Sequence, residues 1–294
     1  ILIGGNLKIS NTWTDPFSSY IMSKQMIRYF GDYVIDSLKN RQLKVSAAEE
    51  LNDPFDFALT YDDNLSDLPS ELQSEEPIQL VHMYHNIHIR QYYKNPHADF
   101  SPVLNIQDRG HMLKKCLEHT VKDMIGSFTK LLCFSSSKIS EDADILMWSH
   151  YGHSHSGYRL HFNSEILKTI GGMHQVNYTN KRPILPIALF DNDDAPDSLL
   201  VKSTQWKYED ESRIIIDERK TKLEPESGFT FTDLPAKALL RVDIGIKPKS
   251  MIADELINIL CEEPYQHVEL YQTCMDDSMF QLNYKRIYLS HQVS

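Results

Sequence analysis

The segment LLRVDIGIKPKSMIADELINILCEEPYQHVELYQ, Leu239 to Gln272, decides the fold class. Leu239 to Ile246 and Val268 to Gln272 read as strands. Between them Met251 to Cys261 reads as a helix, with Ile252, Leu256, Ile257 and Leu260 forming its apolar stripe. Working outward, further strands are expected at Leu131 to Ser135, Gly157 to Phe162, Gln175 to Tyr178, Ile184 to Leu189, Ser212 to Ile216 and Gln281 to Tyr288. Short helices are expected at Tyr33 to Leu38 and at Ala143 to Tyr151. Strands interrupted irregularly by helices, with no regular βαβ alternation, predict an α+β fold.

Residues 1–20 are read as a flexible N-terminal segment and residues 21–294 as one α+β domain, a size that buries a substantial core without staples. The region just after Ile21, including Arg28, has an amphipathic, helix-compatible pattern. Leu43 to Ser46 reads as a strand, followed by the turn-forming Asn52-Asp53-Pro54. Asn64 to Pro77 is acidic and aperiodic, an exposed connection. Two helical stretches, 78–93 and 106–128, read as a helical insertion packed on the core in the manner of a lid.

The 294-residue chain carries a formal net charge of −11. That balance disfavours non-specific nucleic-acid binding, which needs a basic face. It leaves room for a small anionic ligand held by a local arginine. The acidic helical insertion is a candidate surface for a protein partner. No stretch approaches the roughly 20 apolar residues of a membrane span, and the N-terminus lacks a secretory signal's pattern. The four cysteines, Cys116, Cys133, Cys261 and Cys274, form no Cys-x-x-Cys pair. Scattered thiols of this kind fit reduced, structural cysteines and a cytoplasmic setting.

Four motifs stand out: Leu51-Asn52-Asp53-Pro54-Phe55-Asp56; Cys133-Phe134-Ser135; Met147-Trp148-x-x-Tyr151 with Gly157 after it; and KSTQWKYEDESR, Lys202 to Arg213. In order and approximate spacing they resemble the bacterial family called domain of unknown function 2971, over about Ser23 to Tyr271. The order of elements also resembles the ADP-ribosyltransferase core, a split sheet of mixed and antiparallel strands. In that core an Arg or His on a first strand, a Ser, Thr or Tyr on a second and a Glu on a later strand meet around NAD. The matching residues here are Arg28, Ser135 and Glu211, the last within Glu209-Asp210-Glu211. The resemblance implies an enzyme that moves ADP-ribose from NAD to a macromolecular acceptor, as in a bacterial toxin, effector or anti-phage defence protein.

That chemistry assigns roles. Breaking the ribose–nicotinamide bond passes through an oxocarbenium-like state, which a carboxylate beside the ribose stabilises. Glu211 takes this part. Glu209, expected on the same strand face by period-two alternation, orients or deprotonates the acceptor. Arg28 binds pyrophosphate or ribose through its planar fork, and Ser135 supports the nicotinamide ribose. Tyr29 or Tyr151 stacks on nicotinamide. Asn52, Asp53, Trp148 and Arg213 complete the candidate cofactor-binding set.

Each assignment has a plainer rival. Glu209 and Glu211 pairing with Lys207 and Arg213 is an ordinary strand-face ion pair. Arg28 fits a solvated surface, Trp148 a core position, and the serines after Phe134 the polar end of a strand. His150, His153, His155 and His161 cluster in sequence but lack a His-Glu-x-x-His or cysteine partner, so no metal site is expected. Two other functions remain open on these residues. One is a metal-dependent phosphodiesterase gathering Asp53, Asp56, Glu209 and Glu211 around a divalent cation. The other is a recognition module without turnover.

Overall fold

The computed structural model describes residues 8–9, 25–47, 50–56, 130–183, 200–216 and 218–292. The insertion at 78–128, the connection at 64–77, the strand expected at 184–189 and Cys116 lie outside them. The chain divides into two compact units, one drawn from 1–46, 130–176 and 205–294, the other from 47–129 and 177–204.

In chain order the strands are β1 (Lys8–Ile9), β2 (Gln25–Phe30), β3 (Gln42–Ala47), β4 (Lys130–Ser136), β5 (Tyr158–Asn163), β6 (Gly172–Gln175), β7 (Asn177–Thr179), β8 (Val201–Ser203), β9 (Glu211–Ile216), β10 (Lys222–Leu223), β11 (Thr230–Asp233), β12 (Leu239–Ile244), β13 (Glu269–Met275) and β14 (Leu282–Tyr288). The α-helices are α1 (Val34–Lys39), α2 (Glu141–His150), α3 (Ser164–Leu167) and α4 (Ser250–Leu260). The architecture is mixed α and β, with a mostly antiparallel sheet and few helices. One large sheet runs β1-β14-β13-β12-β5-β2-β4-β3-β11-β10, with β9 on β4 and β6 on β9. β12 and β13 pair in parallel, joined through α4, which buries Ala253, Leu256 and Leu260.

The sheet forks at β4. β9 accompanies β4 from Lys130 to Ser135, so β2 and β3 share its opposite edge. β2 joins β4 only through Met26 opposite Ser136 and Ile27 opposite Ser135. Strand alternation then sorts the side chains. One face sends Phe30, Leu132, Phe134, Leu160, Phe162 and Ile214 into the main core, with Leu38, Leu256 and Leu260 of the helices. Each such side chain contributes about 1.5–3 kcal/mol by leaving water. The other face carries Ile27 and Tyr29 against Met147 and Trp148 of α2.

Two sequence expectations need correction. Arg28 lies on a strand, β2, and not on a helix. β2 is paired on both edges and buried on both faces, so its apolar residues do not alternate and a helical pattern fits the same letters. The strand expected at Gln175 to Tyr178 is broken at Val176, whose N–H donates to the Glu211 carbonyl at 2.9 Å. β6 pairs with β9, while β7 pairs with β8 in the other unit.

Candidate functional site

The site is built where β4, β9 and the end of α2 meet. α2 starts at Ser140, whose hydroxyl accepts from the Ala143 N–H at 3.3 Å, a side-chain N-cap. It ends at Tyr151. Beyond it the backbone takes three successive left-handed residues, His153, Ser154 and His155, at φ 50°, 52° and 65°. Such conformations cost roughly 1–2 kcal/mol each for residues with a Cβ. The turn is held by His155 N–H to Trp148 O at 3.2 Å and by Lys247 N–H to His155 O at 3.2 Å. Gly157 is required by close approach: a Cβ there would lie 2.3 Å from the Phe30 carbonyl oxygen.

Glu209 closes a 3₁₀ turn, Thr204–Glu209, and Glu211 opens β9. The two are therefore not on one regular strand, as alternation predicts. Asp210 between them adopts φ 42°, a left-handed turn that aspartate tolerates better than most residues. Both carboxylates are buried, Glu209 at 3% exposure and Glu211 at 4%. The Tyr151 hydroxyl donates to Glu209 Oε1. Arg213, fully buried, forks onto Glu211 through Nε to Oε1 at 2.8 Å and Nη2 to Oε2 at 3.2 Å. Ser135 stands opposite Glu211 and Cys133 opposite Arg213 in the β4–β9 register. Burial and the neighbouring Glu211 carboxylate push the Cys133 thiol up, so it stays protonated.

Among the predicted residues, the fold thus gathers Glu209, Glu211, Arg213, Ser135 and Tyr151. Arg28 stands apart from them. It shares its sheet face with Met26 and Phe30, its guanidinium lies over Phe30 and Phe134 at 5.6 and 5.9 Å, and its Nη2 donates to Lys44 O at 2.8 Å. Ser135 and Glu211 occupy the opposite face, because each residue of a strand reverses direction. Tyr29 and Trp148 are buried edge-to-face with centroids 5.2 Å apart, and neither ring offers a face for stacking. Asn52 and Asp53 belong to the second unit. There Asp53 Oδ1 accepts from Phe55 N–H at 2.9 Å, the expected turn chemistry. Among the described residues no three His, Cys, Asp or Glu side chains are grouped to hold a metal; of the four carboxylates weighed for a phosphodiesterase, Asp53 and Asp56 belong to the second unit and Glu209 and Glu211 to the first.

Two features were not anticipated. The first is an aromatic cluster beside the carboxylates. His150 and Tyr208 stand with centroids 6.1 Å apart, and Trp206 lies 6.1 Å from Tyr208. His150 Nδ1 and the Tyr208 hydroxyl are 2.9 Å apart. The second is a buried charge network on the same sheet face. Arg159 bridges Asp144 at 2.6 Å and Asp243 at 2.7 Å, while His161 Nε2 and Arg241 Nε reach Asp243 at 2.7 and 2.5 Å. Tyr284 donates to Asp144 and accepts from Trp148 Nε1 at 3.1 Å. The signal lay in Tyr158-Arg159-Leu160-His161-Phe162 and Leu240-Arg241-Val242-Asp243-Ile244, two apolar strands with charged groups at period two.

No helix among the described residues is long and apolar enough to cross a membrane. No curated protein and no solved structure matches the chain. Residues 147–214 match the family described as protein of unknown function (DUF2971). The Met147–Tyr151 motif and the Lys202–Arg213 motif lie within or overlap that span, and Asn52–Asp56 and Cys133–Ser135 lie outside it. The match covers the end of α2, the left-handed turn and both glutamates, and over that segment it supports the resemblance to this family.

Proposed function

We propose that the protein is an ADP-ribosyltransferase-like enzyme that cleaves the ribose–nicotinamide bond of NAD and passes ADP-ribose to a macromolecular acceptor. The observation that carries this reading is the pair of buried carboxylates, Glu209 and Glu211, set two residues apart around a left-handed Asp210 and beside Ser135. Glu211, kept oriented by the Arg213 fork, stabilises positive charge developing on the ribose carbon. Glu209, oriented by Tyr151, takes the proton of the acceptor group. His150, Trp206 and Tyr208 supply aromatic surface against which a pyridinium ring packs, an attraction of the cation–π kind. Arg28 has no part in this version, and Arg213 is the guanidinium of the site.

The test is incubation of the full chain with NAD, alone and with a cell lysate, measuring free nicotinamide and transferred label. Nicotinamide release or labelling is expected. Neither, with no heat of NAD binding by calorimetry, contradicts the reading.

Protein recognition without turnover has its own observation. The β13–β14 turn exposes Met275, Met279 and Phe280, the last at 98%. Asp276 fixes that turn by accepting from the Ser278 and Met279 N–H groups at 2.9 Å each. A partner that binds Glu209→Gln as tightly as wild type, but loses Phe280→Ser, would favour it.

A further inference from the structure

We infer that His161 is a ligand-binding residue, with Nδ1 accepting a hydrogen bond from a neutral hydroxyl of the bound molecule. His161 is 5% exposed on β5, and its Nδ1 is buried with no hydrogen-bond partner among the described residues. A buried polar atom left unmatched costs about 1–3 kcal/mol, so an unmatched nitrogen in an otherwise bonded network calls for a partner that the described residues do not supply. The opposite ring nitrogen is already committed, because Nε2 lies 2.7 Å from Asp243 Oδ2. Asp243 itself is ionised: against the effect of burial, the Arg241 and Arg159 guanidiniums hold its carboxyl well below the usual range. An ionised carboxylate only accepts, so the proton sits on Nε2 and Nδ1 presents a bare lone pair. Burial lowers His161 to about 4 in spite of Asp243, consistent with a neutral ring.

The surroundings select the ligand group. Arg159 and Arg241 share Asp243 with His161, which disfavours an ammonium donor by like-charge repulsion. An anionic oxygen has no proton to offer a neutral imidazole lone pair. A neutral O–H remains. Position supplies the link to the glutamates: in the sheet register Glu211 stands opposite Ser135, Ser135 opposite Ile27, and Ile27 opposite His161. All four side chains leave the same face along one rung, and at about 4.8 Å per strand Ser135 and His161 stand roughly 10 Å apart. Glu211 lies one strand further, roughly 14 Å from His161, so a molecule with its reacting end at Glu211 reaches His161 with a hydroxyl beyond its first sugar. Identifying the hydroxyl as one from a ribose rests on the function proposed above. The acceptor role of Nδ1 does not.

The test uses the full wild-type chain labelled with 15N-histidine, and reads the His161 Nδ1 resonance by NMR in three states: free, with ADP-ribose, and with NAD. The free protein should show Nδ1 at the position of an unbonded, non-protonated imidazole nitrogen, and either nucleotide should move it upfield as a hydrogen bond forms. Nicotinamide release is followed in the same samples. A shift without release leaves the inference standing while the proposed transfer fails. Release without a shift overturns the inference while the transfer stands. No shift with either nucleotide overturns it, as does an Nδ1 already hydrogen-bonded in the free protein, which would mark a resident water. His161→Gln gives a second reading: its amide N–H replaces Nε2–H toward Asp243 while nothing accepts at the Nδ1 position, which should raise the ADP-ribose Kd by about tenfold, the weight of one well-made hydrogen bond, with an unchanged circular dichroism spectrum.

Discussion

Arg213 and Glu211 form an ion pair from which water is excluded, and this changes what a substitution at Glu211 measures. On the proposed function Glu211→Gln removes a charge wanted in the transition state, but it also takes from the fully buried Arg213 guanidinium the carboxylate it forks onto. Breaking a buried pair from one side costs about 3–5 kcal/mol, so this variant should unfold at clearly lower urea concentration than wild type. Glu209→Gln is milder, because a glutamine carbonyl still accepts from the Tyr151 hydroxyl. It should keep its urea midpoint to within about 1 kcal/mol and lose transfer by about 10²-fold. A Glu209→Gln protein that turns over at the wild-type rate would remove Glu209 from the mechanism. His161 governs a second measurement at this scale. Its folded value of about 4 lies below the ordinary 6.5, so the unfolded chain binds the extra proton. The resulting stability is complete above pH 6.5 and is lost as pH falls toward about 4, by on the order of 3 kcal/mol. Asp243, whose carboxyl is lowered, adds a further loss below the ordinary carboxylate range. Urea midpoints that stay flat from pH 7 to pH 4.5 would contradict this account of the network.

At the scale of elements, the turn between α2 and β5 stores strain. Ser154 is exposed and holds φ 52°, so Ser154→Gly should raise stability by about 1 kcal/mol as the Cβ clash is relieved. Gly157→Ala should lower it by about 3 kcal/mol, because the new methyl meets backbone that cannot rotate away. Denaturant midpoints check both, and equal changes of the same sign would contradict them. Much of this level was legible from residues. Leu131 to Ser135, Leu239 to Ile246 and Met251 to Cys261 announced β4, β12 and α4 through apolar runs and spacing, and Val34–Lys39 formed the short helix expected there. β2 was not legible as a strand, since burial on both faces erases the alternation that identifies one. Glu209 was misplaced for a related reason: its orientation comes from one left-handed residue, and a Glu-x-Glu pattern does not reveal the backbone angle at its centre. The facing of Arg28 away from Ser135 and Glu211 required strand identity and register, which a single sequence does not carry.

The whole molecule combines a forked, mostly antiparallel sheet with two differently built faces. One face is a hydrocarbon core. The other carries charges that satisfy one another in the interior, from the Arg213–Glu211 pair across to the Asp243 cluster. The net charge of −11 surrounds this with a field of the same sign as NAD's phosphates. Association should therefore quicken as salt screens the repulsion, and kcat/KM for NAD should rise by about twofold between 0.02 and 0.15 M salt. A steep fall over that range would mean a basic docking groove instead. The most direct test of the account is the rate of nicotinamide release from NAD, per folded molecule, in wild type and Glu211→Gln, with folded fractions set equal by circular dichroism. The account predicts release by wild type and a loss of at least about 10²-fold in the variant. Equal rates in the two proteins, or no release by either under varied acceptors, would contradict it.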